Sequence, residues 1–298
     1  MFPLAILFSF AAALCWGIVP LIYRRNLGGL SLYDLNAIRS VGFAGGMVIL
    51  ALIFKPAILS RIPSLEVLGG AAAAALLANL LGDFFYMSSI EAMGVSFAAA
   101  VTSTYPLVVI AVSSIWLGEA ISLPLLSGTV TIILGLNLIR RGYSVGGRGP
   151  NHRRGFLLAL AAACLWGLSN PVICWTILKT GVDSLTFNLW RSIAFLPLVW
   201  ATWLFRTFGT DTPKTSIETV GFRRGIELVL VGALSLAVAG TFVNLALQEA
   251  PASLVTPLTA TSPLLSTLLA VIFFKERVSH SQWAGIFLIV FGSALVSW

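Results

Sequence analysis

Residues 15–24 read CWGIVPLIYR and residues 165–174 read LWGLSNPVIC, so a Trp-Gly pair recurs in two apolar runs 150 positions apart. Working outward, NAIRS at 36–40 returns as NLWRS at 188–192, which aligns Asn36, Arg39 and Ser40 with Asn188, Arg191 and Ser192. Glu91-Ala92 matches Glu249-Ala250, Pro106-Leu107 matches Pro263-Leu264, and Glu119 matches Glu276. Gly128 and Gly135 match Gly285 and Gly292 with the same spacing. One short match is chance, but an ordered series at nearly constant offset reads as an internal duplication.

Composition says where the duplicated unit resides. The 298-residue chain is 58% hydrophobic and 10% charged, with a mean hydropathy of +0.97. A soluble domain carries roughly 25% charged residues, so this chain is expected to be an integral membrane protein. The apolar runs are continuous and do not alternate as barrel strands do. Punctuated by turns and charges, they predict ten spans near 3–22, 33–54, 65–89, 95–117, 121–139, 155–178, 185–205, 226–248, 253–274 and 282–297. The first run carries no cleavage pattern and reads as a span. The expected fold is an all-α membrane protein of two five-helix repeats, 1–139 and 155–298, joined by a basic glycine-rich linker at 140–154. Five is odd, so the second repeat must enter the bilayer inverted, as in many secondary transporters with a midplane site between repeats.

The net charge of +7 points to cytoplasmic loops, not to a nucleic-acid partner. The side holding the N-terminus carries Lys55, Arg61 and Lys179; the opposite side carries thirteen basic residues, and Arg39 and Arg191 fall inside spans. By the positive-inside rule both termini face outward. Cys15, Cys164 and Cys174 lack metal or redox spacing and read as small hydrophobes; neither a metal nor a cofactor is expected.

The Trp-Gly pair in the first helix of each half and the arginine early in the second resemble the EamA-type transporters of the drug/metabolite transporter superfamily. So do the closing segments IWLGEAISLPLLSGTVTIILG and FFKERVSHSQWAGIFLIVFG. The resemblance covers nearly the whole chain. It implies a polytopic permease with a central cavity, exporting amino acids or other small metabolites; related branches carry nucleotide sugars or sugar phosphates. It also implies cytoplasmic termini, against the charge count.

Asn79, Asp83 and Tyr86, spaced i, i+4, i+7, predict a polar stripe on one helix face. The aligned positions in the second half put Thr241 opposite Asp83 and Asn244 opposite Tyr86, so the carboxylate has no twin. A carboxylate at membrane depth costs on the order of 2.5–3.5 kcal/mol on insertion scales and calls for a partner. Three roles stand open for it: a substrate amine, a titrating proton, or a structural pair with Arg39 or Arg191. Arg39 and Arg191, each with Asn36 or Asn188 three residues earlier, read as helix anchors or substrate contacts. Pro106 and Pro263, preceded by hydroxyls including Thr102 and Thr261, predict kinked helices lining a cavity. Trp16 and Trp166, with Tyr86 and Tyr105, are deep enough to wall it.

No HExxH, paired-aspartate, GxSxG or Walker pattern supports an intramembrane enzyme, so none is expected. The expected partners are lipid, a small-molecule cargo and protons, in a monomer or weak oligomer of a prokaryotic cytoplasmic membrane. An amino acid or amine is the favoured cargo because Asp83 offers an anion. The alternative, exchange of a phosphorylated or nucleotide-linked metabolite, would want more inward basic residues than Arg39 and Arg191.

Overall fold

The computed structural model describes residues 2–26, 30–93, 95–141, 151–209, 220–274 and 279–298. The linker segment 142–150, the Glu119 match at Glu276, and Arg148, Lys214, Lys275 and Arg277 of the charge count lie outside them. Among the described residues the chain is all helical, with no strand.

The first half holds α1 (Pro3–Asn26), α2 (Leu32–Phe54), α3 (Leu65–Met93), α4 (Val95–Thr102), α5 (Tyr105–Leu117) and α6 (Leu123–Arg141). The second holds α7 (His152–Thr180), α8 (Ser184–Gly209), α9 (Phe222–Glu249), α10 (Ala252–Thr259), α11 (Ser262–Phe274) and α12 (His280–Val296). Helices α4 and α5 form one broken rod, as do α10 and α11, leaving five rods in each half. Five helical runs, 33–54, 65–93, 153–180, 222–249 and 252–273, are individually long and apolar enough to cross a membrane. Large apolar side chains face outward along the rods: Leu7, Ile49, Ile115, Leu134, Phe205 and Phe287 are all more than half exposed. An outer surface this apolar suits hydrocarbon.

Local chemistry starts the rods at matched places. Ser31 caps α2 through a capping box with Asp34, and the aligned Asp183 accepts from Thr186 N at 3.1 Å to start α8. Ser122 accepts from Leu125 N to start α6, and Ser279 accepts from Gln282 N to start α12.

The prolines correct the expectation of kinks. Pro106 and Pro263 do not bend a continuous helix; the rod stops before each and restarts at Tyr105 and Ser262. At the second residue of a new helix proline's missing N–H is no loss. The breaks are alike: Thr104 Oγ1 donates to Val101 O and Thr261 Oγ1 to Leu258 O, both at 2.7 Å. Leu107 N donates to Thr104 O and Leu264 N to Thr261 O, both at 2.9 Å.

Contacts between halves come in mates. Helix α1 packs on α9, α10 and α11 as α7 packs on α3, α4 and α5. Helix α2 meets α8, and α6 meets α12. The last pair runs antiparallel with backbones almost touching. A Cβ on Gly128 would stand 2.7 Å from Gly292 O, and one on Gly135 2.6 Å from Gly285 O, with the reciprocal distances equal. Such glycines let helices approach without side chains between them.

Candidate functional site

The Trp-Gly pairs have two jobs each. The Trp16 indole donates to Ser235 O at 2.8 Å and the Trp166 indole to Ala78 O at 3.2 Å. Both carbonyls belong to π-helical stretches, Ala75–Gly82 in α3 and Ala233–Val238 in α9, which begin at aligned positions. A π-turn disturbs the regular i→i−4 ladder, and the indole N–H satisfies a carbonyl there that bilayer depth would otherwise leave costly. The glycines bring the broken rods close. A Cβ on Gly17 would stand 2.9 Å from Leu265 Cβ, and one on Gly167 2.5 Å from Val108 Cβ.

Held this way, the two tryptophans wall a central cavity of about 190 Å³. Tyr86, Thr102, Tyr105 and Pro263 also line it, as the sequence predicts; Ser103, Thr259 and Ser262 join them. The Trp166 ring lies 5.1 Å from Tyr86 and 6.1 Å from Tyr105, tilted and edge-on. The three added hydroxyl residues were visible only as polar neighbours of the prolines, and the breaks turn them inward.

The remaining sequence candidates lie outside this lining. Asp83 pairs with Arg39 at 3.4 Å, and Arg39 also donates to Asn36 Oδ1 at 3.1 Å. The Asp83 neighbour Gly82 is pressed against Trp166, and Tyr86, one turn on, lines the cavity. Asn79 is buried within the π-stretch, its Oδ1 without a hydrogen-bond partner. Asn188 donates to Thr241 Oγ1 at 3.0 Å and to Ala237 O at 3.1 Å. Asn244, Thr261 and Arg191 are buried, and Pro106 is buried at the start of α5.

Glu119, legible in the sequence only as a repeat match, caps α10: its carboxylate accepts from Ala252 N at 2.8 Å and Ser253 N at 2.9 Å. It thereby ties the end of the first half's broken rod to the start of the second's.

A larger cavity of about 670 Å³ opens between α2, α3 and α8. Apart from Tyr33, Asn36, Thr202 and Arg206 its walls are apolar, with Leu80, Phe84, Val199 and Phe205 prominent. Among the described residues its lining takes none from the Trp-Gly helices. Its size and greasy walls suit bilayer chains; the smaller cavity has the convergent polar and aromatic groups of a small-molecule site.

The sequence pattern of the EamA-like transporter family matches residues 3–141 and 153–298. A protein of Archaeoglobus fulgidus described as an uncharacterized transporter is 28% identical over 295 residues, 98% of each chain. A protein known from its crystal structure superposes with a TM-score of 0.77 at 20% identity, over 98% of this chain and 96% of that one; at that identity it speaks for the fold alone. With its twofold family match and its multi-pass apolar helices, the chain belongs to the EamA-like transporter family of the drug/metabolite transporter superfamily.

Proposed function

We propose that the protein is a secondary transporter of a single amino acid or amine, carried by alternating access through the cavity between Trp16 and Trp166. The observation that carries this reading is the lining itself. Four aromatic rings, Trp16, Tyr86, Tyr105 and Trp166, face hydroxyls from Thr102, Ser103, Thr259 and Ser262. Aromatic faces attract an ammonium group through their quadrupoles, most strongly when water is excluded; the Thr102 and Thr259 hydroxyls, which donate to Ala98 O and Thr256 O, have lone pairs left to accept from its N–H groups. The ammonium is thus met by rings and not by Asp83, which is engaged with Arg39. A phosphorylated cargo is disfavoured because no Lys or Arg is among the described lining residues.

Alternating access follows from an inverted duplication, 1–139 against 155–298, with all ten rods crossing the bilayer. The antiparallel α6–α12 contact and the mated contacts of α1 and α7 support it. The aligned breaks before Pro106 and Pro263 lie at the cavity and are the points where the broken rods would rock.

The test is counterflow in proteoliposomes with a panel of amino acids, amines and sugar phosphates, with and without a pH gradient. Amino-acid or amine exchange is expected. Sugar-phosphate exchange without amino-acid flux overturns the reading. Where a pH gradient drives uptake, Asp83 is the proposed coupling group, and Asp83→Asn, paired with Arg39→Gln to restore stability and assayed per folded protein, then keeps exchange and loses the gradient's effect. Unchanged gradient dependence removes that role.

A further inference from the structure

The two halves treat their matched arginines differently. In the first, the Arg39 guanidinium meets the Asp83 carboxylate. In the second, the position aligned with Asp83 is Thr241, and among the described residues Arg191 forms no ion pair. The acids on the two helices that hold it have partners of their own: Asp34 on α2 in Trp203 and Ser31, and Asp183 at the start of α8 in Lys55. Yet Arg191 is 7% exposed, more deeply placed than its twin.

The surroundings of Arg191 are those of a guanidinium kept charged. Its Cζ lies 5.4 Å from the Phe43 ring centre, and Nη2 is 2.5 Å from where a Cβ on Gly240 would stand. Its Nε is buried with no hydrogen-bond partner. One turn along α9, Asn244 is fully buried, and neither side-chain polar atom has a partner. The Thr241 hydroxyl, three residues before Asn244 on the same helix, accepts from Asn188 and meets the Met47 sulfur at 3.7 Å. An arginine does not shed its proton inside a protein. A full charge this deeply placed needs a compensating charge; the Phe43 face and the Asn188 Oδ1 beside Gly240 offer only partial charges.

We propose that a small monovalent anion binds at Arg191 between α2, α8 and α9, supplying the charge that Asp83 supplies to Arg39. The Arg191 Nε and Nη2, the Thr241 hydroxyl and the Asn244 amide are its donors. Inorganic halide and a carboxylate share this chemistry. The site lies outside the central cavity and is independent of the transport reading, because its test contains no cargo.

The test is thermal unfolding of the purified full chain in detergent, titrating sodium chloride or sodium formate into sodium gluconate at constant ionic strength. Gluconate is too bulky for a buried site of this kind. The wild type is expected to show a saturable rise in Tm, as for any ligand that binds only the folded state. A response to chloride marks an inorganic ion, and a response to formate alone marks a carboxylate. Arg191→Gln abolishes the response. Thr241→Asp also abolishes it while raising the Tm in gluconate, because it rebuilds the first half's pair; this variant decides the matter even where Arg191→Gln fails to fold. Equal Tm in all three salts, or a response that survives in Thr241→Asp, overturns the proposal.

Discussion

Removing one member of a buried ion pair leaves the other's charge without its counter-charge, so Asp83 and Arg39 are expected to be coupled. Breaking such a pair costs about 3–5 kcal/mol, and replacing both members costs far less. Asp83→Asn is therefore expected to lower the Tm sharply, and Arg39→Gln with Asp83→Asn to recover most of the loss, as read by thermal unfolding in detergent. A double variant no better than the single would show that the pair is not coupled. The need for a partner was legible in the sequence, since a lone carboxylate in an apolar run has to be compensated. Which arginine served was not, because Arg39 and Arg191 sit in the same N-x-x-R-S frame and only the packing of α3 against α2 separates them. The Asn79–Asp83–Tyr86 stripe was drawn on an ideal α-helix; the π-stretch through Ala75–Gly82 widens the turns holding Asn79. Outside the spans, Asp183 offers a pH test. Burial pushes its carboxyl up, but hydrogen bonds from Lys55 and Thr186 outweigh that and hold it below the usual carboxylate range. A depressed folded-state value stabilises above the unfolded value of about 3.9 and is lost as pH falls through the folded one. The Lys55 pair, at 2.7 Å but half exposed, is worth roughly 0.2–1 kcal/mol. Asp183→Asn, which keeps the helix cap, should therefore lose a little stability at pH 7 and nothing at pH 2; an equal loss at both would assign the effect elsewhere.

At the scale of elements, the glycines of α6 and α12 make the sharpest prediction. A methyl at Gly285 meets the Gly135 carbonyl at 2.6 Å, and two rigid backbones must part to admit it. Gly285→Ala is expected to destabilise by about 1–3 kcal/mol, the range for overpacking. At Gly45, also helical, a Cβ would meet nothing within 4 Å, so Gly45→Ala should be neutral or stabilising by roughly 0.5–1 kcal/mol. Comparing the two in one thermal-unfolding series separates close packing from the general effect of glycine replacement. The seven-residue spacing of these glycines was legible beforehand as a match between the halves. Rod positions were also legible to within a few residues, because long apolar runs bounded by charges leave little choice. The breaks before Pro106 and Pro263 were not, since a proline permits either a kink or a restart. The hydroxyls of Thr104 and Thr261, turned back onto Val101 O and Leu258 O, accompany the restart.

For the whole molecule, the duplication in the sequence foretold more than any motif did. It anticipated which tryptophans wall the cavity, but not that Asp83, Thr241, Asn244 and Thr261 fall outside it, because depth in a helix says nothing about which neighbour a face meets. Orientation follows from charge. The side holding the N-terminus carries only Lys55, Arg61 and Lys179, against thirteen basic residues on the opposite side. Both termini should therefore face outward, and a C-terminal alkaline phosphatase fusion should be active; an inactive fusion with normal protein levels would reverse the orientation. The central claim is that cargo passes through the small aromatic cavity and not the larger lateral one. Counterflow of the best panel substrate tests it in two variants of verified stability, Ser103→Trp filling the first cavity and Ala201→Phe filling the second. Exchange lost in Ser103→Trp and kept in Ala201→Phe is the predicted result; exchange kept in Ser103→Trp and lost in Ala201→Phe would contradict it.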